Sequence, residues 1–372
     1  MPSITVMLKP ASGLCNMRCS YCFYLDEVAA RDVGCRGVMS EETLRAVLSK
    51  VLAYATDECT VAFQGGEPTL AGLAFFERCL ELERELNVNG ARISHSLQTN
   101  GLGLGEEWAR FFAEHDFLVG VSLDGDREVH DANRVDAAGA GTFDRVMAFI
   151  GMLRKHGVRF NVLSVVTDQA ARATQRTCSF FARRGIDFQQ SIPCLDPLGE
   201  EPGENPWSLT PEGLEQHLRQ SFNFWYREAM GGTVRYHRYF FNLLGILDGK
   251  PPEACDLCGV CSRQLVVEAD GSVYPCDFYM LDEYCLGNLR TDELADIERA
   301  RDEIGFVQES VELKKACRGC PCEALCRGGC RRTWVPDSDG RMRNYYCKAY
   351  RNFLTYAYPK LNDVRMVLRG RR

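Results

Sequence analysis

The chain has 372 residues, 45% of them hydrophobic and 26% charged, with a formal net charge of −7; it is too long for one ordinary core and fits a large barrel plus a smaller module. The acidic balance and scattered basic residues speak against a nucleic-acid partner, and Arg365, Arg369, Arg371 and Arg372 read as a solvated tail. Met1–Pro10 lacks the pattern of a secretory leader and no window approaches the ~18 apolar residues of a membrane span, so a cytoplasmic protein without membrane contact is expected.

In chain order, Ile4–Lys9 reads as a strand. Glu41–Tyr54 reads as a helix with Ser40 as N-cap. Thr60–Gln64 is predicted as a strand ending in Gly65-Gly66-Glu67-Pro68, followed by a helix over Leu73–Leu86. Arg92–Leu97 is a strand ending in Gln98-Thr99-Asn100-Gly101, followed by a helix over Glu106–Glu114. Leu118–Leu123 ends in Asp124-Gly125 and leads to a helix over Phe143–His156. Phe160–Val166 ends in Thr167-Asp168 and leads to a helix over Ala170–Arg184. Phe188–Ile192 is a sixth strand. Six βα units with short connections imply a parallel sheet with helices outside, and the active site of such a fold gathers at the C-terminal strand ends. Pro211–Ala229 reads as a further helix. Beyond about residue 240 the segments are short and rich in cysteine and glycine, with a hairpin predicted from Gln264–Ala269 and Ser272–Pro275 around Asp270-Gly271.

Nineteen cysteines in a reducing compartment point to metal or catalysis rather than disulfides. Cys35, Cys59, Cys79, Cys178, Cys194 and Cys285 are scattered and read as small buried apolar residues. Cys15-x3-Cys19-x2-Cys22 follows the first strand. Three thiolates leave a metal position open, which suits a catalytic zinc or a four-iron cluster with one iron free to bind substrate. Tyr21, Phe23 and Tyr24 interleave with these ligands and would shield a cluster.

The run CNMRCSYCFY, followed by GGEPT on a βα scaffold, resembles the radical S-adenosylmethionine (SAM) superfamily. The resemblance implies a partial (β/α)6 barrel over residues 1–235. Cys15, Cys19 and Cys22 would hold a [4Fe–4S] cluster whose open iron chelates SAM, and cleavage of SAM would give a 5′-deoxyadenosyl radical. Gly65, Gly66 and Glu67 would line the SAM amino group, Ser122 and Arg134 its ribose and carboxylate, and Leu195 its adenine; Tyr24 is a further SAM contact. Gln64, Gln98 and Asn100 are candidates for holding the substrate. His95, inside a strand, reads as a core histidine, and Asp124 as either a ribose contact or a turn former.

Cys261-x9-Gly271-x4-Cys276, Cys317-x2-Cys320-x5-Cys326-x3-Cys330 and Cys347 resemble the SPASM extension. That implies a small cysteine-rich domain over residues 236–372, with the hairpin and a C-terminal helix. The family pattern places Cys255, Cys261, Cys276 and Cys330 on one closed cluster and Cys317, Cys320, Cys326 and Cys347 on another, three [4Fe–4S] clusters in all. Two structural zincs are the alternative, and Cys258 and Cys322 read as bystanders.

KPASGLCNMRCSYCFY, FQGGEPTLAGL, SLQTNG, LVGVSLDG, CLDPL, DGSVYPCDFY and CRGGCRR together resemble the anaerobic sulfatase-maturating enzymes. These oxidise a cysteine or serine of a sulfatase to Cα-formylglycine. The resemblance makes Asp277 the base that removes the substrate proton. It implies a sulfatase polypeptide as substrate, a ferredoxin or flavodoxin as reductant, and a monomer. The competing readings are a SPASM-type maturase that crosslinks another ribosomal peptide, a radical SAM dehydrogenase of a small alcohol, and a non-enzymatic iron–sulfur protein. Cys15 follows only fourteen residues, so the peptide-recognition domain common among the crosslinking maturases is not expected before the barrel, which favours sulfatase maturation.

Overall fold

The computed structural model describes residues 2–370; Arg371 and Arg372 lie outside the described residues. Its strands in chain order are β1 (Ile4–Leu8), β2 (Glu58–Phe63), β3 (Arg92–Thr99), β4 (Leu118–Ser122), β5 (Phe160–Val166), β6 (Phe188–Pro193), β7 (Tyr236–His237), β8 (Leu265–Val267), β9 (Ser272–Tyr274), β10 (Gly287–Asn288), β11 (Trp334–Pro336) and β12 (Met342–Asn344). The chain divides into two compact units. The first comprises residues 1–122, 134–160 and 263–306, and the second residues 123–133, 161–262 and 307–372.

In the first unit β1, β2, β3 and β4 pair in parallel and in order, as the βα pattern predicts. β8 adds in parallel to the free side of β1, and the antiparallel β8–β9–β10 meander extends that edge. The predicted Asp270-Gly271 hairpin is therefore a continuation of the sheet. Val6, Leu8, Val61 and Phe63 are fully or almost fully buried. An aromatic cluster of Phe63, Phe76, Trp108, Phe111 and Phe117 binds β2 and the following strands to the helices Leu73–Leu86 and Glu106–Glu114. Each such ring pair contributes roughly 1 kcal/mol beyond its burial. Ser40 caps its helix by accepting from Thr43 N–H. His95 is a strand residue bonded to Glu83 at 2.8 Å and stacked on Phe117.

In the second unit β5, β6 and β7 are parallel. Phe222, Trp225, Phe240 and Phe353 join the helices Pro211–Met230, Arg238–Leu247 and Cys347–Gly370 into one core.

Several expectations need correction. The helix predicted over Ala170–Arg184 is two helices, Asp168–Arg172 and Thr174–Arg183. Thr167 caps the first by accepting from Ala170 N–H, and the Thr174 hydroxyl turns back to Ala171 O at the break. The region after residue 240 holds more than short segments: Leu294–Glu303 and Phe306–Lys314 are helical, as is Phe23–Ala30 directly after the first cysteine cluster. Arg365 and Arg369 are no solvated tail. They lie on the C-terminal helix and pair with Asp248 at 2.5 Å. Cys59, Cys79 and Cys194 are buried as expected, but Cys35 and Cys285 are exposed. Among the described residues no helix is long and apolar enough to cross a membrane.

Candidate active site

Parallel pairing brings the C-terminal ends of β1 to β4 to one edge of the first unit, and the chain places polar residues there. The centre is Asp277, only 4% exposed. Lys9, one residue past β1, donates from Nζ to Asp277 Oδ1 at 3.1 Å. Tyr24 Oη donates to Asp277 Oδ2 at 2.5 Å, and Gln64 Nε2, one residue past β2, to the same oxygen at 2.7 Å. Gln64 Nε2 also lies 3.1 Å from Tyr24 Oη. All three neighbours are donors, so the carboxylate offers its oxygens as acceptors. Burial and the adjacent Asp277 push the Tyr24 phenol well above its ordinary pKa, so it stays a donor. Beyond Lys9, Glu27 is buried and accepts weakly from Met280 N–H at 3.5 Å; burial raises its pKa to about 8.

The cysteine loop is braced by the neighbouring strand ends. Asn100 Nδ2 donates to Asn16 Oδ1 at 2.8 Å and points at Cys15 Sγ at 3.6 Å, while Asn16 Nδ2 reaches Leu102 O at 3.0 Å. The side chain of Asn100 therefore braces the loop. Arg18 N–H donates to Val135 O at 2.7 Å, which ties the loop to the segment carrying Arg134. The Arg134 guanidinium stands 5.4 Å from the Tyr21 ring centre, and its charge acts on Cys22.

Glu67 is fully buried, with its carboxylate consumed internally. Oε1 accepts from Thr69 N–H, Thr69 Oγ1 and Thr99 Oγ1, and Oε2 from Asn100 N–H. It staples the ends of β2 and β3 and leaves only its main chain to meet a ligand. Gly66 has φ +48°, and a Cβ there would lie 2.3 Å from Leu14 O and 2.7 Å from Ser12 O. Only glycine lets this turn pack on the cysteine loop. Ser122, at the end of β4, accepts from Gln98 Nε2 at 3.2 Å.

Three soft thiols on one loop, with amide donors and an arginine charge around them, fit an anionic iron–sulfur cluster. Burial pushes the Cys15 and Cys22 thiols above their ordinary pKa; bound metal reverses this by taking the thiolate. In the second unit Cys317, Cys320, Cys326 and Cys347 act electrostatically on one another, as do Cys255, Cys261 and Cys330. Cys276 belongs to the first unit, where Phe278 N–H donates to its Sγ at 3.5 Å. Cys322 Sγ turns to Arg351 O and Cys258 Sγ to Ala254 O, which suits bystanders. Among the described residues no three His, Cys, Asp or Glu side chains could share a single metal ion; a four-iron cluster asks each thiolate to bind its own iron. Leu195 and Asp124 lie in the second unit, where Asp124 Oδ1 accepts from Val165 N–H at 2.9 Å, a structural bond.

Residues 10–171 match the radical SAM superfamily and residues 258–321 an iron–sulfur cluster-binding domain. A cysteine-type anaerobic sulfatase-maturating enzyme of Clostridium perfringens is 42% identical over 366 residues, spanning 98% of this chain and 99% of the relative. The chain belongs to the anaerobic sulfatase-maturating enzyme family. A serine-type member from Bacteroides thetaiotaomicron is 29% identical, over 98% of this chain and 91% of its own. The solved structure of native anSMEcpe with bound AdoMet and Cp18Cys peptide superposes with a TM-score of 0.93 at 41% identity, covering 99% of this chain and 100% of that one. Membership makes this protein a radical SAM enzyme that carries iron–sulfur clusters and generates formylglycine. The readings as a crosslinking maturase, an alcohol dehydrogenase or a non-enzymatic carrier are set aside.

Sequence reasoning missed Lys9, Asn16, Glu27 and Met280. Lys9-Pro10 directly after an apolar strand was the available signal, because a lysine at a parallel strand end sits at the active edge.

Proposed function

We propose that this sulfatase-maturating enzyme oxidises the active-site cysteine of a sulfatase polypeptide to Cα-formylglycine without oxygen, with Asp277 as the base. The convergence of Lys9, Tyr24 and Gln64 on Asp277, in the unit that carries the Cys15–Cys22 loop, supports this reading most strongly. Cysteine is the favoured substrate over serine. Cysteine-type relatives are 42% and 38% identical, against 29% and 28% for serine-type relatives.

Cys15, Cys19 and Cys22 hold the cluster that meets SAM. Gly65, Gly66 and the main chain of Glu67 line the SAM amino group, and Ser122 and Arg134 its ribose and carboxylate; the resemblance adds Leu195 for the adenine. The eight later cysteines, grouped as the resemblance implies, close two further clusters, giving three [4Fe–4S] clusters. When bound, these groups supply the radical that takes a hydrogen atom from the substrate Cβ and the sink for the second electron. The protein's own part is proton removal and placement. Asp277 takes the thiol proton as carbon and sulfur form a double bond, and water then converts the thioaldehyde to the aldehyde with loss of sulfide. Tyr24 and Gln64 hold Asp277 Oδ2 toward the reacting group, and Gln98 is the remaining substrate contact. A ferredoxin or flavodoxin is the reductant. The enzyme works as a monomer in a reducing cytoplasm, which suits nineteen free cysteines.

The test is anaerobic. The reconstituted, reduced enzyme with SAM and a Cys-x-Pro-x-Arg peptide should yield 5′-deoxyadenosine and a formylglycine peptide by mass spectrometry. The serine peptide should react at least about tenfold more slowly, a difference of ~1.4 kcal/mol in barrier. Equal rates would remove the cysteine preference, and 5′-deoxyadenosine without aldehyde would remove the assignment.

A further inference from the structure

Lys9 is buried, with 3% exposure, and its ammonium has three hydrogens to place. The structure gives it three acceptors: Asp277 Oδ1 at 3.1 Å, Met280 Sδ at 2.9 Å, and the face of the Tyr24 ring at 3.9 Å from its centre. It touches the oxygen of Asp277 that Tyr24 and Gln64 leave alone. The carboxylate is thus gripped from both ends, and its plane cannot turn without breaking one of the grips. A buried ion pair is weak evidence of stabilisation, because desolvation offsets most of the Coulomb gain. A methionine of similar volume would fill the same space without that cost. Fixing the geometry of one carboxylate is what the charge adds.

Gly65 makes this reach possible. A Cβ at Gly65 would lie 1.9 Å from Lys9 Cε, 2.8 Å from Nζ and 3.0 Å from Cδ. The lysine stem runs over the bare backbone of the glycine, so no other residue at 65 leaves the ammonium where it is. Gly65 also has φ +89°, a conformation that favours glycine. The glycine loop therefore has a second task beside the one proposed for it toward SAM.

We propose that Lys9 is a positioning residue for Asp277, and that Gly65 is glycine in part to let Lys9 pass. The inference rests on the reading of Asp277 as the base. Loss of Lys9 then frees the carboxylate to turn away from the substrate, while SAM is still cleaved.

The experiment uses the full reconstituted enzyme under anaerobic conditions. In Lys9→Met, 5′-deoxyadenosine should still form and the KM for the peptide should stay within about twofold. The kcat for formylglycine should fall at least about tenfold, so that 5′-deoxyadenosine per product rises by the same factor, the signature of a positioned base lost. In anaerobic thermal unfolding, Gly65→Ala should lower the midpoint by clearly less in a Lys9→Ala background than in the wild type, because truncating the lysine removes the clash and leaves only the backbone strain. A wild-type ratio in Lys9→Met overturns the proposal. An equal or greater loss from Gly65→Ala in the Lys9→Ala background overturns the part given to Gly65. A second arm does not depend on product. In anaerobic thermal unfolding, Lys9→Met and Asp277→Asn should each lower the midpoint, and the pair together by clearly less than the sum. Additive losses overturn the grip on Asp277. If the wild type cleaves SAM yet forms no aldehyde, the reading of function fails, and this coupling still decides whether Lys9 sets the carboxylate.

Discussion

At the scale of single residues, two buried carboxyls, Asp277 and Glu27, feel the charge of one lysine, Lys9. Asp277 meets only donors, and no other acidic side chain contacts Tyr24 and Gln64 among the bonds described. Asp277→Asn keeps the shape but removes the proton acceptor. Formylglycine formation should fall by about 10²-fold or more, the usual worth of a general base, while SAM cleavage continues; side-by-side quantitation of both products checks this. Glu27 answers to a different measurement. Its pKa is raised from 4.5 to about 8 by burial, against the opposing charges of Lys9 and Arg31. The folded state thus holds the proton where the unfolded chain has lost it, and stability from this group is full below pH 4.5 and lost as pH rises to about 8. Glu27→Gln should remove that loss. The stability gap between variant and wild type should widen through this window by roughly 5 kcal/mol and then level off, read from anaerobic denaturant unfolding at a series of pH values. Asp277 was legible in the sequence only through its resemblance, because an aspartate beside a cysteine carries no periodicity or spacing of its own. Lys9 and Glu27 were not read at all: their meaning lies in contacts 268 and 253 residues away along the chain.

At the scale of elements, alternating patterns gave the parallel strands and most helices, and Ser40 was visible as a cap. The boundaries that failed are those where a side chain turned back on the backbone. Thr174 is the clear case, since its hydroxyl meets both Ala171 O and His217 Nδ1. His217 and His237 also show what burial does to a helix–strand layer. Both are deeply buried in the second unit, and burial lowers their pKa to about 4 and about 3. They line one cavity of about 20 Å³ with Thr177, and His217 Nε2, His237 Nδ1 and Thr177 Oγ1 have no protein partner. A space of that size holds a water or two. Because both rings stay neutral when folded, their contribution to stability is full above pH 6.5 and is lost as pH falls through their folded values. Each should cost about 2 kcal/mol between pH 6.5 and pH 5. His237→Phe, which keeps the stack on Phe240, should lose about half of that acid sensitivity in unfolding titrations at the two pH values.

At the scale of the whole molecule, the cysteine spacing was the most legible feature, since ligand spacing is a property of sequence. The burial of each thiol was not, and Cys35 and Cys285 are exposed where a buried role was expected. The helices Leu294–Glu303 and Phe306–Lys314 escaped notice because metal-rich segments were expected to lack apolar mass, whereas the C-terminal helix that the resemblance implied buries Phe353, Leu354, Ala357, Leu361 and Val364. The central claim is that a radical made at the first cysteine cluster takes hydrogen from a cysteine Cβ and that an aldehyde results. A sulfatase peptide carrying β,β-dideuterated cysteine tests it most directly. One turnover should move a single deuterium into 5′-deoxyadenosine and leave one on the formylglycine aldehyde carbon. Unlabelled 5′-deoxyadenosine, or labelled 5′-deoxyadenosine beside a crosslinked peptide without aldehyde, would contradict the account.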